Sequence, residues 1–215
     1  RPRGRAFPWP LVRPVTHMAT KTASLPLAIE RHWTAAEYRR LPEGPPYYEL
    51  EDGELLEMVR PRRKHQLSLG ELYAAISAHV RRERLGKIWL EVAVELAPTR
   101  MYIPDLSFLL TENLGRFADD VAIQGPPDLV VEVVSPSTAR RDRSQKLRAY
   151  HQAGVPWYWL VESDTLLITE YRHTPDGYLV NQTAAEGFTP ALFPGLTLRL
   201  ADSFAERNLE EEPHE

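Results

Sequence analysis

At 215 residues, with hydrophobic content of 43% and charged content of 26%, the chain suits one soluble domain with tails and can bury a sizeable core. The absence of cysteine excludes a disulfide framework and a thiolate zinc site and fits a reducing, cytoplasmic compartment. The formal net charge of −4 places no demand for nucleic acid on the chain as a whole, so any such contact must use local basic patches; no apolar run approaches the roughly 20 residues that span a bilayer, so no membrane partner is expected.

Residues 1–28 are rich in Pro and Arg, lack periodicity, and read as a disordered extension in which Met18 is a candidate natural start. The ordered domain is expected over residues 29–207, followed by an acidic tail at 208–215. Thr34 and Glu37 have capping-box spacing for a short helix carrying Tyr38 and Leu41. YYELEDGELLEM then gives two short strands meeting at Asp52-Gly53, a tight-hairpin signal. Its acids suit a wet edge, with Glu49 and Glu54 the two best placed to reach a metal. From residue 65 to 84 the period turns helical, with Leu69, Leu72, Tyr73, Ile76 and Val80 on one stripe and Arg81, Arg82 and Arg84 suiting the helix C-terminus. Just before it, Arg60, Arg62, Arg63, Lys64 and His65 form a basic cluster at a helix N-terminus, where free N–H groups favour anions.

KIWLEVAVEL alternates as a single half-buried strand. MYIPDLSFLL and PPDLVVEVVSPST supply two more apolar strands, separated by a partly helical link at 111–125. RRDRSQKLRAYHQAG has helical spacing, with Leu147, Tyr150 and Ala153 inward and Gly154 as the stop. VPWYWLVES is another strand, LLITEYRH and YLVNQTA form a hairpin over Pro175-Asp176-Gly177, and GLTLRL closes the domain.

Two of these strands carry an acid inside an apolar run: Asp105 and Glu132. Acids are depleted from strands, and a buried carboxylate is costly unless something positive meets it. Glu132 therefore either sits at an open strand end in a cleft or has a cation for company. A common cause for both is that they face each other across neighbouring strands and hold a metal ion.

Helix, strand, strand, strand, helix, strand, with acids on the second and third strands, resembles the restriction-endonuclease-like PD-(D/E)XK nuclease superfamily. The phrases YYELEDGEL, Pro104-Asp105, PPDLVVEVVSPSTARRDRSQKLRAY and AGVPWYWLV, across residues 33–162, resemble the Uma-type endonucleases, a large bacterial family. The resemblance implies an α/β fold with a mixed central sheet, an αβββαβ core and flanking β-hairpins. It assigns Asp105 as the aspartate after proline and Glu132 as the later acid. Val134 stands where the motif has lysine, and Lys146 on the next helix is the candidate replacement; the competing reading of Lys146 is a solvated i,i+4 partner for Asp142. The acid that the family carries on its first helix has two candidates here, Glu71 and His65.

The resemblance further implies Mg2+, or Mn2+ in its place, held by Asp105 and Glu132 with a backbone carbonyl near Val133, and Lys146 stabilising developing charge. Arg62, Arg63, Lys64, Arg140, Arg141 and Arg143 are the expected DNA-backbone contacts, giving salt-sensitive and mostly non-specific affinity. One small cleft cuts one strand, which is compatible with a homodimer. The function expected is therefore a Mg2+-dependent DNA endonuclease. Its rivals are a catalytically inactive nuclease-fold module that binds nucleic acid or protein, and a metal-dependent hydrolase of a small phosphorylated substrate.

Overall fold

A computed structural model describes residues 32–117, 119, 121–134 and 141–200. The expected extension before residue 29, the tail after 207 and Arg140 lie outside the described residues.

The capping box at Thr34 forms as read: the Thr34 hydroxyl accepts from Glu37 N, and the Glu37 carboxylate accepts from Thr34 N, starting α1 (Ala35–Tyr38). Strands β1 (Tyr48–Glu51) and β2 (Glu54–Glu57) pair antiparallel about Asp52 and Gly53, both at positive φ. That geometry matches the right-handed twist of the flanking strands and favours the Asp-Gly pair. Helix α2 (Arg63–Glu83) follows, and its predicted stripe is real: Leu69, Leu72, Ile76 and Val80 are buried, and Tyr73 packs at the margin.

KIWLEVAVEL differs from expectation. It is cut at Glu91, which takes a positive φ of 47°, into β3 (Gly86–Leu90) and β4 (Ala93–Ala97), and the two halves join different sheets. The alternation on each side of Glu91 is that of a strand, so periodicity alone reads through the break. Next come β5 (Arg100–Tyr102), β6 (Leu106–Leu110), a 3-10 turn (Thr111–Arg116) and β7 (Ala122–Gln124); this last strand lies in the link expected to be partly helical. Strand β8 (Leu129–Val134) is buried at every position, as a strand covered on both faces should be. A π-helical turn (Asp142–Lys146) leads into α3 (Leu147–Ala153), which Gly154 ends at φ 80°. Strands β9 (Trp157–Glu162), β10 (Ile168–Thr174) and β11 (Gly177–Ala184) complete the series. The closing GLTLRL makes a bridge between Leu198 and Phe188 in place of a full strand.

One sheet has the order β2-β1-β5-β4-β7, and the other β11-β10-β9-β8-β6-β3. The six-stranded sheet is mixed: β8 and β9 run parallel, as the α3 crossover requires, and the remaining pairs are antiparallel. Successive residues of β8 therefore serve two cores. Leu129, Val131 and Val133 pack under α2 with Trp159 and Phe193, while Val130 and Val134 pack under α3 with Tyr150 and Tyr158. Among the described residues no helix is long and apolar enough to cross a membrane.

Gly86 fixes how closely β3 approaches β6. A Cβ added there would lie 1.9 Å from the Leu109 carbonyl oxygen, a backbone atom that cannot step aside alone. Gly86→Ala is expected to cost about 1–3 kcal/mol, the usual scale for forcing extra volume into packed structure. Urea unfolding reads this as a lower midpoint, and an unchanged midpoint would show that β3 is free to move.

Candidate active site

The two sheets and both longer helices meet around a set of charged groups. From the five-stranded sheet, β1 presents Glu49 and Glu51 on one face, two residues apart, and β5 presents Tyr102. From the six-stranded sheet come Glu132 in β8 and Asp105 at the entry to β6. Helix α2 adds His65 from its first turn, and the π-helical turn and α3 add Lys146 and Tyr150.

Glu132 is 4% exposed, and one of its oxygens, Oε1, accepts from both Lys146 Nζ at 2.8 Å and Tyr150 Oη at 2.7 Å. Lys146 Nζ also lies 3.0 Å from Glu49 Oε1. Glu49 accepts in addition from Ile103 N at 3.0 Å and from Arg141 Nη1 at 2.5 Å. Arg141 extends the set to Glu51 at 3.0 Å, whose other oxygen accepts from the Tyr102 hydroxyl at 2.9 Å. Burial is the largest influence on Glu49 and pushes its carboxyl up. The Lys146 and Arg141 charges and the Ile103 N–H together outweigh it and hold the group below the usual carboxylate range.

Asp105 forms a second, adjoining set. Its Oδ2 accepts from Val133 N at 2.6 Å, which ties it to the residue next to Glu132, and its Oδ1 lies 3.0 Å from His65 Nε2. Burial pulls the His65 imidazole down most strongly. The Asp105 carboxylate and the backbone of Val133 overcome that and raise it above its ordinary value. The imidazole is thus held where a carboxylate and a main-chain group converge, both of which favour its charged form.

Asp105, Glu132 and Lys146 lie within these two adjoining charged sets, and Lys146 is buried rather than on a solvated helix face. Of the two helix candidates, His65 touches Asp105. Of the two hairpin acids, Glu49 is buried in the cluster while Glu54 is exposed. Among the described residues no three or more His, Asp or Glu side chains are grouped as a ready-made metal site. The expected cation would therefore need main-chain and non-protein oxygens to complete its shell.

The expected DNA contacts separate. Arg62 and Arg63 are exposed, Lys64 pairs with Asp164 at 3.1 Å in solvent, and Arg143 pairs with Glu162. Arg141 departs from that expectation: its guanidinium is turned inward onto Glu49 and Glu51 and over the Tyr102 ring. Sequence reasoning gives Glu51 and Tyr102 no role at the site and reads Tyr150 only as an inward residue of its helix. The usable signals were the shared strand face of Glu49 and Glu51 and the i,i+4 spacing of Lys146 and Tyr150.

Among curated proteins the chain has no match. Its fold is similar to the crystal structure of a "putative nuclease belonging to DUF820" from Anabaena variabilis, with a TM-score of 0.66 and 21% sequence identity over 80% of this chain and 98% of that one. The Uma2 family model, described as "Putative restriction endonuclease", matches residues 35–201, well over half the chain, and the chain belongs to that family.

Proposed function

We propose that the protein is a Mg2+-dependent endonuclease that hydrolyses phosphodiester bonds in DNA, with Asp105, Glu132 and Lys146 as its catalytic residues. The observation that carries the reading is the Asp105–Val133–Glu132–Lys146 connection: two acids from neighbouring strands, joined through one backbone N–H, with a buried ammonium on the second. Membership of a family described as "Putative restriction endonuclease" supports the reaction class.

The donor set fits a hard cation. Carboxylate and carbonyl oxygens suit Mg2+, which usually keeps several waters and takes only one or two carboxylates from the protein. The His65 ring nitrogen lies 3.0 Å from Asp105 Oδ1, so the oxygen expected to face a cation already has a polar neighbour from α2. Asp105 and Glu132 would hold the metal, with the Val133 carbonyl as a third oxygen. When bound, such a metal activates water and polarises the phosphate.

The chain's own groups supply the rest. Lys146 Nζ, fixed between Glu132 and Glu49, offers preorganised positive charge with little left to reorganise as charge builds on the phosphate oxygens. Arg62, Arg63, Lys64 and Arg143 remain the candidates for the DNA backbone, with affinity that falls steeply with salt. Arg141 is better suited to holding Glu49 and Glu51 in place than to an outer DNA contact.

Plasmid and short duplexes incubated with Mg2+, Mn2+ or EDTA test the proposal. Cleavage is expected with either metal and none with EDTA. Asp105→Asn is expected to lower the rate on the order of 100-fold or more, the scale for losing one preorganised transition-state contact. That Glu132 is already engaged by Lys146 and Tyr150 favours, as a second reading, an inactive nuclease-fold module that binds nucleic acid. Binding without cleavage under every metal condition would establish that reading instead.

A further inference from the structure

We infer that Tyr150 is a positioning residue for the proposed cation site, holding the Glu132 carboxylate in its binding orientation; this rests on the reading of Glu132 as a metal ligand given above. The Tyr150 hydroxyl donates to Glu132 Oε1 at 2.7 Å, beside the 2.8 Å contact of Lys146 Nζ to the same oxygen. The two donors come from residues four apart on consecutive turns, where the π-helical turn passes into α3, so one rigid element sets both. A single donor fixes a point on a carboxylate, whereas two donors from different directions on one oxygen also restrict its rotation. Ligating carboxylates are commonly held in this way by outer hydrogen bonds, and losing such a partner typically weakens metal binding 10–100-fold.

Tyr150 is well built for the task. Its ring is fully buried between Tyr102, 5.6 Å away centroid to centroid and edge-on, and Tyr158 at 5.3 Å. The ring is therefore located by packing, and the hydroxyl has little freedom to leave the carboxylate. A phenol of ordinary acidity is protonated at neutral pH, so the hydroxyl is a donor. Lys146 is shared with Glu49, so it does not serve Glu132 alone, whereas the Tyr150 hydroxyl hydrogen is directed at Glu132.

A merely structural role would predict something different. Tyr178 is partly buried, and its hydroxyl donates to the Val155 carbonyl at 2.7 Å in the same aromatic group. Tyr150→Phe and Tyr178→Phe each keep the ring and delete one hydrogen-bonded hydroxyl, so both should lose some stability without cation. Only Tyr150→Phe should change cation affinity. The test is the binding of Mn2+ to the full chain, followed by water-proton relaxation, in wild type, Tyr150→Phe and Tyr178→Phe.

The expected result is a 10–100-fold higher dissociation constant in Tyr150→Phe and an unchanged one in Tyr178→Phe. Cleavage of DNA by Tyr150→Phe should then recover as Mg2+ is raised, which a packing defect would not allow. Equal affinities in all three proteins would overturn the role of Tyr150 while leaving the cation site standing. Absence of Mn2+ binding in wild type would overturn the cation reading and this inference with it. Should Tyr150→Phe fold poorly, the Mg2+ dependence of its residual cleavage gives the same decision: a midpoint equal to that of wild type refutes the inference.

Discussion

Lys146→Ala is expected to destabilise the metal-free protein by about 3–5 kcal/mol at neutral pH, because removing one partner of a buried charge set leaves the others uncompensated. Lys146 is 5% exposed and lies between Glu132 Oε1 and Glu49 Oε1. Without it, Tyr150 still donates to Glu132, and Arg141 and Ile103 to Glu49, but two buried carboxylates lose the ammonium they share. A domain of ordinary stability holds only about 5–15 kcal/mol, so the loss is a large fraction of the whole. The pH dependence has a definite sign. Glu49 in the native protein titrates below its ordinary value, so its contribution is complete above that value and is lost as pH falls toward the native one. In Lys146→Ala the buried acids instead gain protons readily on folding, which stabilises the variant on acidification. The gap between wild type and variant should therefore narrow as pH drops through the carboxylate range. Urea unfolding in EDTA at several pH values measures it, and Lys146→Ala combined with Glu132→Gln should recover part of the loss. Lys64→Ala breaks only the solvent-exposed pair with Asp164 and should cost under about 1 kcal/mol. Equal small losses in both variants would mean that Lys146 is not energetically buried.

These contrasts track what can be read along the chain. The capping box at Thr34, the Asp52-Gly53 hairpin, the α2 stripe and the apolar β8 are set by neighbours within a few residues, so period and turn chemistry expose them. The break at Glu91 is different, since the residues on both sides keep a strand's alternation and the positive φ belongs to a residue that rarely adopts it. That break decides which sheet each half joins, and with it how β1 and β5 come to face the ends of β6 and β8. The acids Asp105 and Glu132 were conspicuous because carboxylates interrupt greasy strands, and Lys146 followed from a family resemblance rather than from spacing. Their companions were hidden by distance along the chain: Arg141 meets Glu49 across 92 positions and Glu51 across 90. A run of arginines looks solvated in one dimension, and only the approach of β1 turns one of them inward.

Adding Mg2+ should raise the melting temperature of wild type but not of Asp105→Asn. A ligand that binds only the folded state contributes RT ln(1 + [L]/Kd), about 2.7 kcal/mol at one hundred times Kd. For a domain of this size each kcal/mol is worth about 2–4 °C, so a rise of roughly 5–10 °C is expected at that excess. Asp105→Asn is a fair comparison because the amide keeps the shape and its oxygen can still accept from Val133 N, the 2.6 Å contact that Asp105 makes now. What it removes is the negative charge, which a hard cation needs and a backbone N–H does not. Glu132→Gln should likewise abolish the rise, although its metal-free stability will fall further, since Lys146 and Tyr150 then face a neutral group in a buried setting. If one variant loses the rise and the other keeps it, the cation is held on one side of the shared Val133 backbone, by whichever acid the rise depends on. If wild type shows no rise, the two acids are satisfied by protein groups, among them His65, the Val133 N–H, Lys146 and Tyr150, and the charge set is a structural clasp between the sheets rather than a cation site.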